Sequence, residues 1–191
     1  MGEKKCYTAF VGFGSNIGDG KQILAKAWKR LGEEDGVELT TISSPFFSDP
    51  MGMESENTFT NCVGRLETSL TPAELLKRLL HIEEEFGRQR LQPEGGPEDR
   101  SLDLDILYFS TLSINEDDLV VPHPRIRERL FTLVPMAEIE PTYVDPVTKE
   151  SVVSMCRDIY GRMREGIIEE QVIERSTWDE GLIDIESLSV R

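Results

Sequence analysis

Asp103 and Asp105, separated by one leucine in the run Arg100-Ser-Leu-Asp-Leu-Asp-Ile-Leu107, are the residues of this chain best suited to chemistry. In an extended strand residues two apart share a face, so both carboxylates point one way while Leu102, Leu104 and Ile106 point the other. The Asp face continues through Leu107 and Phe109, so both faces turn apolar as the strand proceeds. Carboxylates at the head of a strand covered on both sides repel each other and cost desolvation energy; they call for cations or a shared proton. Magnesium takes oxygen ligands and is commonly held by one or two carboxylates plus substrate phosphates. The competing reading is a pair of solubilising charges on an edge strand. The surrounding residues favour the metal. Between positions 88 and 129 there is no Lys, and the basic residues are Arg88, Arg90, Arg100, Arg125, Arg127 and Arg129. A guanidinium forks onto phosphate, whereas an ammonium acts as a point charge. Unless the arginines cluster by chance on a solvated surface, carboxylates and arginines in one mouth suit a metal-bound nucleoside triphosphate.

Other candidates are weaker alone. Gly12-x-Gly14 lacks a third Gly at position 17, where Ile17 stands, so the dinucleotide-binding fingerprint fails. Gly20-Lys21 fails as a P-loop, with Ser15 in place of the first Gly and Gln22 where Ser or Thr must hold the metal. A nucleotide site here must do without either glycine loop. His123 lies between prolines, ahead of Arg125, Arg127 and Arg129; a lone His in a turn is more often an ordinary imidazole than a ligand. Phe59 and Asn61 share a strand face, and Phe131 follows the arginine segment. Aromatics at such positions are core residues more often than ligand contacts.

The chain has 191 residues, enough for one domain with a real core. Its net charge of -15 argues against nucleic acid and anionic membrane as partners, since the long-range field repels both. Cys6, Cys62 and Cys156 show no zinc or redox spacing; Cys6 and Cys62 read as small core residues. The apolar run after the N-terminus is short and broken by Gly12 and Gly14, which suits a strand rather than a signal peptide or membrane span. A reducing cytoplasm is the expected location.

The elements that must position these residues alternate. Strands are predicted over 6–13, from Val37 to Phe47, from Phe59 to Leu66 and from Ser101 to Ser110. One helix carries Ile23, Leu24, Ala27, Trp28 and Leu31 on a single face. A second runs to Phe86, with Thr71 as N-cap, Pro72 at the first position and Glu74 completing a capping box. Leu75, Leu76, Leu79, Ile82 and Phe86 face inward there, and Glu74 is expected to pair with Arg78 outside. Loops cover 48–58 and 87–100, a helical piece spans Ile126 to Leu130, and Val152, Met155, Ile159, Met163 and Ile167 step at helical spacing. The order β-α-β-β-α-β is the split βαβ pattern of an α+β, ferredoxin-like antiparallel sheet with helices packed on it. Residues 1–150 form that domain; 151–191 read as a C-terminal extension, helical in part and without assigned function.

Gly14-Ser15-Asn16, Phe59-Thr-Asn61, Gly87-Arg-Gln-Arg90, Arg100-x-x-Asp103-Leu-Asp105 and Pro122-His-Pro-Arg-Ile-Arg-Glu-Arg-Leu-Phe131 resemble, in order and spacing, the 6-hydroxymethyl-7,8-dihydropterin pyrophosphokinases of folate biosynthesis. The resemblance covers roughly residues 6–150. It implies a ferredoxin-like fold and transfer of pyrophosphate from ATP to the pterin hydroxymethyl group, releasing AMP. It also implies that Asp103 and Asp105 ligate two magnesium ions when ATP is bound. Arg88, Arg90, Arg100, His123 and Arg129 would contact ATP and its phosphates, Arg88 and Arg100 as part of the catalytic set, with Glu83 and Ile106 near the nucleotide. Phe59 and Phe131 would sandwich the pterin, Asn61 would bond its edge, and main-chain groups from Ser48 to Met51 would complete the pocket. The expected partners are ATP and a reduced pterin, and the expected state is a monomer, with a weak homodimer as the alternative. One departure carries its own expectation: Glu98-Asp99 separates Gly96-Pro97 from Arg100, and these two carboxylates should weaken ATP binding or slow loop closure.

Overall fold

A strand buried along nearly its whole length has to be covered on both faces, and β4 (Phe59–Thr68) sets that demand here. The computed structural model describes residues 5–88 and 98–183. Ahead of β4 come β1 (Tyr7–Ser15), α1 (Gly20–Leu31), β2 (Val37–Ile42) and β3 (Phe46–Ser48). After it come α2 (Pro72–Glu85), β5 (Asp103–Phe109), a small hairpin of β6 (Ile114–Glu116) and β7 (Leu119–Val121), α3 (Leu130–Ile139), α4 (Val152–Arg164) and β8 (Ile173–Arg175). The main sheet is six-stranded, ordered β5-β1-β4-β3-β8 with β2 also on β4, and its pairings are antiparallel. With β2 and β3 taken as one interrupted strand, this is the expected ferredoxin-like α+β order.

Helices α1 and α2 cover one face, packing on Ala9, Val11, Phe13, Leu66, Leu104 and Ile106. Asp19 caps α1 by accepting from Gln22 N at 3.2 Å. Trp28 of α1 lies so close to β4 that a Cβ on Gly64 would come within 2.3 Å of its ring, so only glycine lets helix and sheet meet there. Helix α2 carries the predicted capping box of Thr71 and Glu74 with Pro72 behind it, and buries Leu75, Leu79 and Ile82; Leu76 and Phe86 are half-buried. Helices α3 and α4 cover the other face over Phe10, Val63, Leu107 and Tyr108. Val152, Met155 and Ile159 of α4 are buried in that second core. At about 1.5–3 kcal/mol per buried apolar side chain, they make the start of the extension part of the fold rather than an appended tail.

Several local expectations change. The predicted strand from Val37 to Phe47 is two strands, broken at Ser43, whose hydroxyl accepts from Val63 N at 3.0 Å. The β1–β5 register slips between Phe10 and Val11, a bulge that gives β5 one extra residue. The Asp face therefore ends at Leu107: Tyr108 joins the α3–α4 core and Phe109 the α1–α2 core. Arg78 does not pair with Glu74, whose carboxylate accepts from the Thr71 main chain and hydroxyl; its Nε reaches Glu34 at 3.2 Å instead. Cys6 is exposed, whereas Cys62 is buried as expected. The helical piece after His123 is a 3-10 turn over Ile126–Glu128, followed by α3, which runs on to Ile139 with Pro135 inside it. Helix α4 stops at Arg164, leaving Ile167 exposed.

Candidate active site

Before its bulge, β5 points Asp103 and Asp105 toward the α3 side of the sheet, and the neighbouring strands complete two cross-strand rows. Gly14 of β1 pairs with Asp103 on one side and Asn61 on the other; Gly12 pairs with Asp105 and Val63. A Cβ on Gly14 would stand 3.4 Å from Asn61 Oδ1 and 3.8 Å from Asp103 Cβ, and one on Gly12 would stand 3.2 Å from the Leu107 side chain. These glycines, which fail as a nucleotide fingerprint, are the floor of a cleft. The signal was in the sequence as two glycines at alternate positions inside a strand, which mark a place where something must approach the main chain.

The cleft encloses about 610 Å³ of empty space, open solvent included. Asp103, Asp105, Arg100, Arg129, Ser48, Met51, Phe59, Asn61 and Phe131, nine of the expected site residues, border it. At one end Asn61 Nδ2 donates to Ser48 Oγ at 3.0 Å in a buried contact, leaving its carbonyl oxygen beside Gly14. The guanidinium of Arg100 lies over the Phe59 ring, 5.7 Å from its centre, and that of Arg129 over the Phe131 ring at 5.4 Å. Each aromatic therefore already carries a cation.

The other end is dense with charge. Arg88 contacts both Glu83 and Asp103, and Glu83, only 2% exposed, also accepts from Leu104 N at 2.7 Å. Burial works against the charge on Arg88, but the two carboxylates outweigh it and raise its pKa. Arg100 Nε stands 3.5 Å from Asp103. Desolvation and then the Asp103 charge hold Asp105 above the usual carboxylate range, although 40% of its side chain remains open to the cleft. It is a carboxyl walled by protein on most sides and wetted from one. His123 Nε2 lies 3.8 Å from Asp105, while its Nδ1 accepts from Arg125 N at 3.2 Å. Burial and the charge of Arg129 lower the imidazole to about 4, so it is neutral at pH 7.

Ile106 is 4% exposed and packs in the α1–α2 core, so any nucleotide contact there falls to its main chain. Arg90 lies outside the described residues. Among the described residues three buried side-chain nitrogens lack a hydrogen-bond partner, and two of them are Nε of Arg100 and Nε of Arg129. Unsatisfied donors in a cleft are costly unless an anion meets them. No group of three or more His, Cys, Asp and Glu surrounds one point among the described residues. A metal at Asp103 and Asp105 would thus draw further ligands from phosphate and water, which is how magnesium is usually held. Asp99, one of the two carboxylates expected to weaken ATP binding or slow loop closure, is bonded to Asn16 and Asn57.

No helix among the described residues is long and apolar enough to cross a membrane. The fold is shared with the Plasmodium falciparum HPPK-DHPS structure, with a TM-score of 0.69 at 14% identity over 87% of this chain. This chain spans 47% of that longer protein. The 2-amino-4-hydroxy-6-hydroxymethyldihydropteridine pyrophosphokinase of Bacillus subtilis is 44% identical over 131 residues, 69% of this chain and 77% of its own length. That of Synechocystis is 37% identical over 156 residues, 82% of this chain and 78% of its own. The family model of 7,8-dihydro-6-hydroxymethylpterin-pyrophosphokinase (HPPK) matches residues 10–141, which takes in both aspartates, the glycine floor and both aromatics, and the chain belongs to that family.

Proposed function

We propose that this chain transfers pyrophosphate from ATP to the hydroxymethyl group of 6-hydroxymethyl-7,8-dihydropterin, giving the pterin diphosphate and AMP. The observation that carries the reading is the row Asp103–Gly14–Asn61, which sets an anionic pole and an amide pole on opposite sides of one flat floor. The pterin is flat and polar at its rim. Phe59 and Phe131 offer stacking faces, the Asn61 carbonyl accepts from the ring edge, and the main chain from Ser48 to Met51 closes the pocket.

Asp103 and Asp105 would hold two magnesium ions with ATP bound, and these would supply charge neutralisation and orientation of the triphosphate. The arginines do the rest. Arg129, whose buried Nε has no hydrogen-bond partner, and Arg100, whose Nε stands 3.5 Å from Asp103, would turn guanidinium donors to phosphate oxygens, and Arg88, braced by Glu83, keeps Asp103 in place. Arg90 of the loop and the neutral His123, through Nε2–H, would add phosphate contacts. The pterin hydroxyl oxygen bonds to the β-phosphorus and releases its proton to water, as the bond from that phosphorus to the α-phosphate oxygen breaks and AMP leaves. Holding both substrates in this geometry supplies much of the rate, and the 48–58 loop excludes the water that would otherwise accept the pyrophosphate.

The test is turnover with ATP, Mg²⁺ and the reduced pterin alcohol, scored as pterin-dependent AMP. ADP alone, or no pterin-dependent product, rejects the reading, and binding of both ligands without turnover would mark a non-catalytic binding protein. Asp103→Asn should lower kcat by at least about 10²–10³-fold with the fold intact.

A further inference from the structure

The segment beyond α4 returns to the back of the cleft walls and meets them at two places. Gln171 Oε1 accepts from Leu130 N at 2.9 Å, and its Nε2 donates to Glu128 O at 2.8 Å. These two main-chain groups flank Arg129. A helix leaves its first N–H groups unpaired, and a Ser, Thr, Asp or Asn at the cap normally accepts from one. In α3 the cap position is occupied by Arg129, which makes no side-chain cap and whose guanidinium lies over Phe131. Arginine has no acceptor to offer. The missing acceptor arrives instead from 41 residues along the chain. Two residues after Gln171, Ile173 opens β8 and pairs in register with Ser48, at the facing wall of the cleft.

We infer that Gln171 is a positioning residue for the pterin end of the site, an inference that rests on the reading of the site given above. By bonding on both sides of Arg129 it fixes the main chain from which Arg129 and Phe131 enter the cleft, while β8 fixes the strand that ends at Ser48. Both walls are then ordered before the substrate arrives. A wall ordered beforehand adds no ordering cost on binding, so loss of Gln171 weakens substrate binding more than it slows chemistry.

The experiment compares the full chain with Gln171→Ala and Arg175→Ala, measuring KM for each substrate, kcat, and amide exchange at residues 130–133. Arg175 belongs to the same strap but bonds Ser44 at 3.0 Å and Glu138 at 2.5 Å, away from the cleft. Gln171→Ala is expected to raise KM for the pterin about fivefold to tenfold, to keep kcat within about twofold, and to speed exchange at Leu130. Arg175→Ala is expected to lower the melting temperature and leave KM unchanged. An unchanged KM in Gln171→Ala, or an equal rise in Arg175→Ala, overturns the inference. If the wild-type chain gives no pterin-dependent AMP, the reading of the site fails on its own, and exchange at Leu130 decides: no change there defeats the positioning role as well.

Discussion

The Asn16 side-chain amide donates to one oxygen of Asp99 at 2.6 Å, and the Asn57 amide donates to the other at 2.7 Å. Asn16 also takes Arg100 N on its own carbonyl oxygen at 2.7 Å. The β1–α1 turn, the loop before β4 and the entry to β5 are thereby fastened together beside Arg100. From the sequence, a carboxylate inserted beside Arg100 is expected to weaken ATP binding or slow loop closure. Its lone pairs are engaged elsewhere, and bonds from Ser55, Asn16 and Asn57 lower its pKa. Asp99→Ala should therefore leave KM for ATP within about threefold, while amide exchange at residues 55–57 rises several-fold. A large gain in ATP affinity would show that the carboxylate does compete.

Phe59 and Phe131 each support an arginine as well as offering a stacking face. Replacing either with Ala should weaken pterin binding by about 10- to 100-fold, from lost burial and stacking together. ATP binding should weaken only about two- to fivefold, since a cation–π contact at a cleft surface contributes about 0.5–1 kcal/mol. Fluorescence titration with the pterin and calorimetry with ATP separate the two. Equal losses for both ligands would argue that the rings shape the cleft without touching the pterin.

Glu83 is a buried carboxylate that satisfies Leu104 N and braces Arg88 against Asp103. Glu83→Ala leaves a buried N–H without this acceptor and Arg88 without one of its two anions. A loss of about 2–4 kcal/mol in urea unfolding is expected. Glu83→Gln, which keeps an acceptor for Leu104 N, should lose less.

Stability should fall at alkaline pH through two phenols, the buried Tyr108 and the half-buried Tyr143. Tyr108 donates to Asp145 at 3.0 Å and Tyr143 to Ser110 O at 2.5 Å. Burial first, and then the Asp145 charge, raise both pKa values, Tyr143 to about 12 and Tyr108 further still. A phenol with a raised folded pKa contributes fully below its ordinary value near 10, and the contribution is lost as pH climbs through the folded value. Tyrosinate absorbance followed alongside circular dichroism should show these two ionising together with unfolding, and Tyr143→Phe should flatten part of the slope. Ionisation of both near pH 10 in a folded chain would contradict the packing.

What could be read from the sequence was what depends on near neighbours. The capping box of α2 spans four residues, and the shared face of Asp103 and Asp105 needs only two steps of alternation, so both survive in the structure. The bulge that sends Phe109 to the opposite core is a property of the β1–β5 pair, and nothing within β5 announces it. Arg78 prefers Glu34, from another helix's end, because the capping box had already claimed Glu74. Asp99 and Gln171 were unreadable for the same reason: their partners lie 83 and 41 residues away. Gly12 and Gly14 stand in the sequence as an incomplete dinucleotide fingerprint, whereas their use in the fold is the absence of side chains.

That absence bears on how the site could be inhibited. Walls made of Met51, Phe59 and Phe131 can change shape by turning a side chain, but the floor at Gly12 and Gly14 has no rotamers to turn. A compound lying flat on it would meet a surface as stiff as the sheet itself. Escape by substitution there would place atoms against Leu107, or between Asn61 and Asp103, in the space proposed for the substrates. Resistance would have to come from the walls, and the floor is the part of this cleft on which a lasting inhibitor should rest.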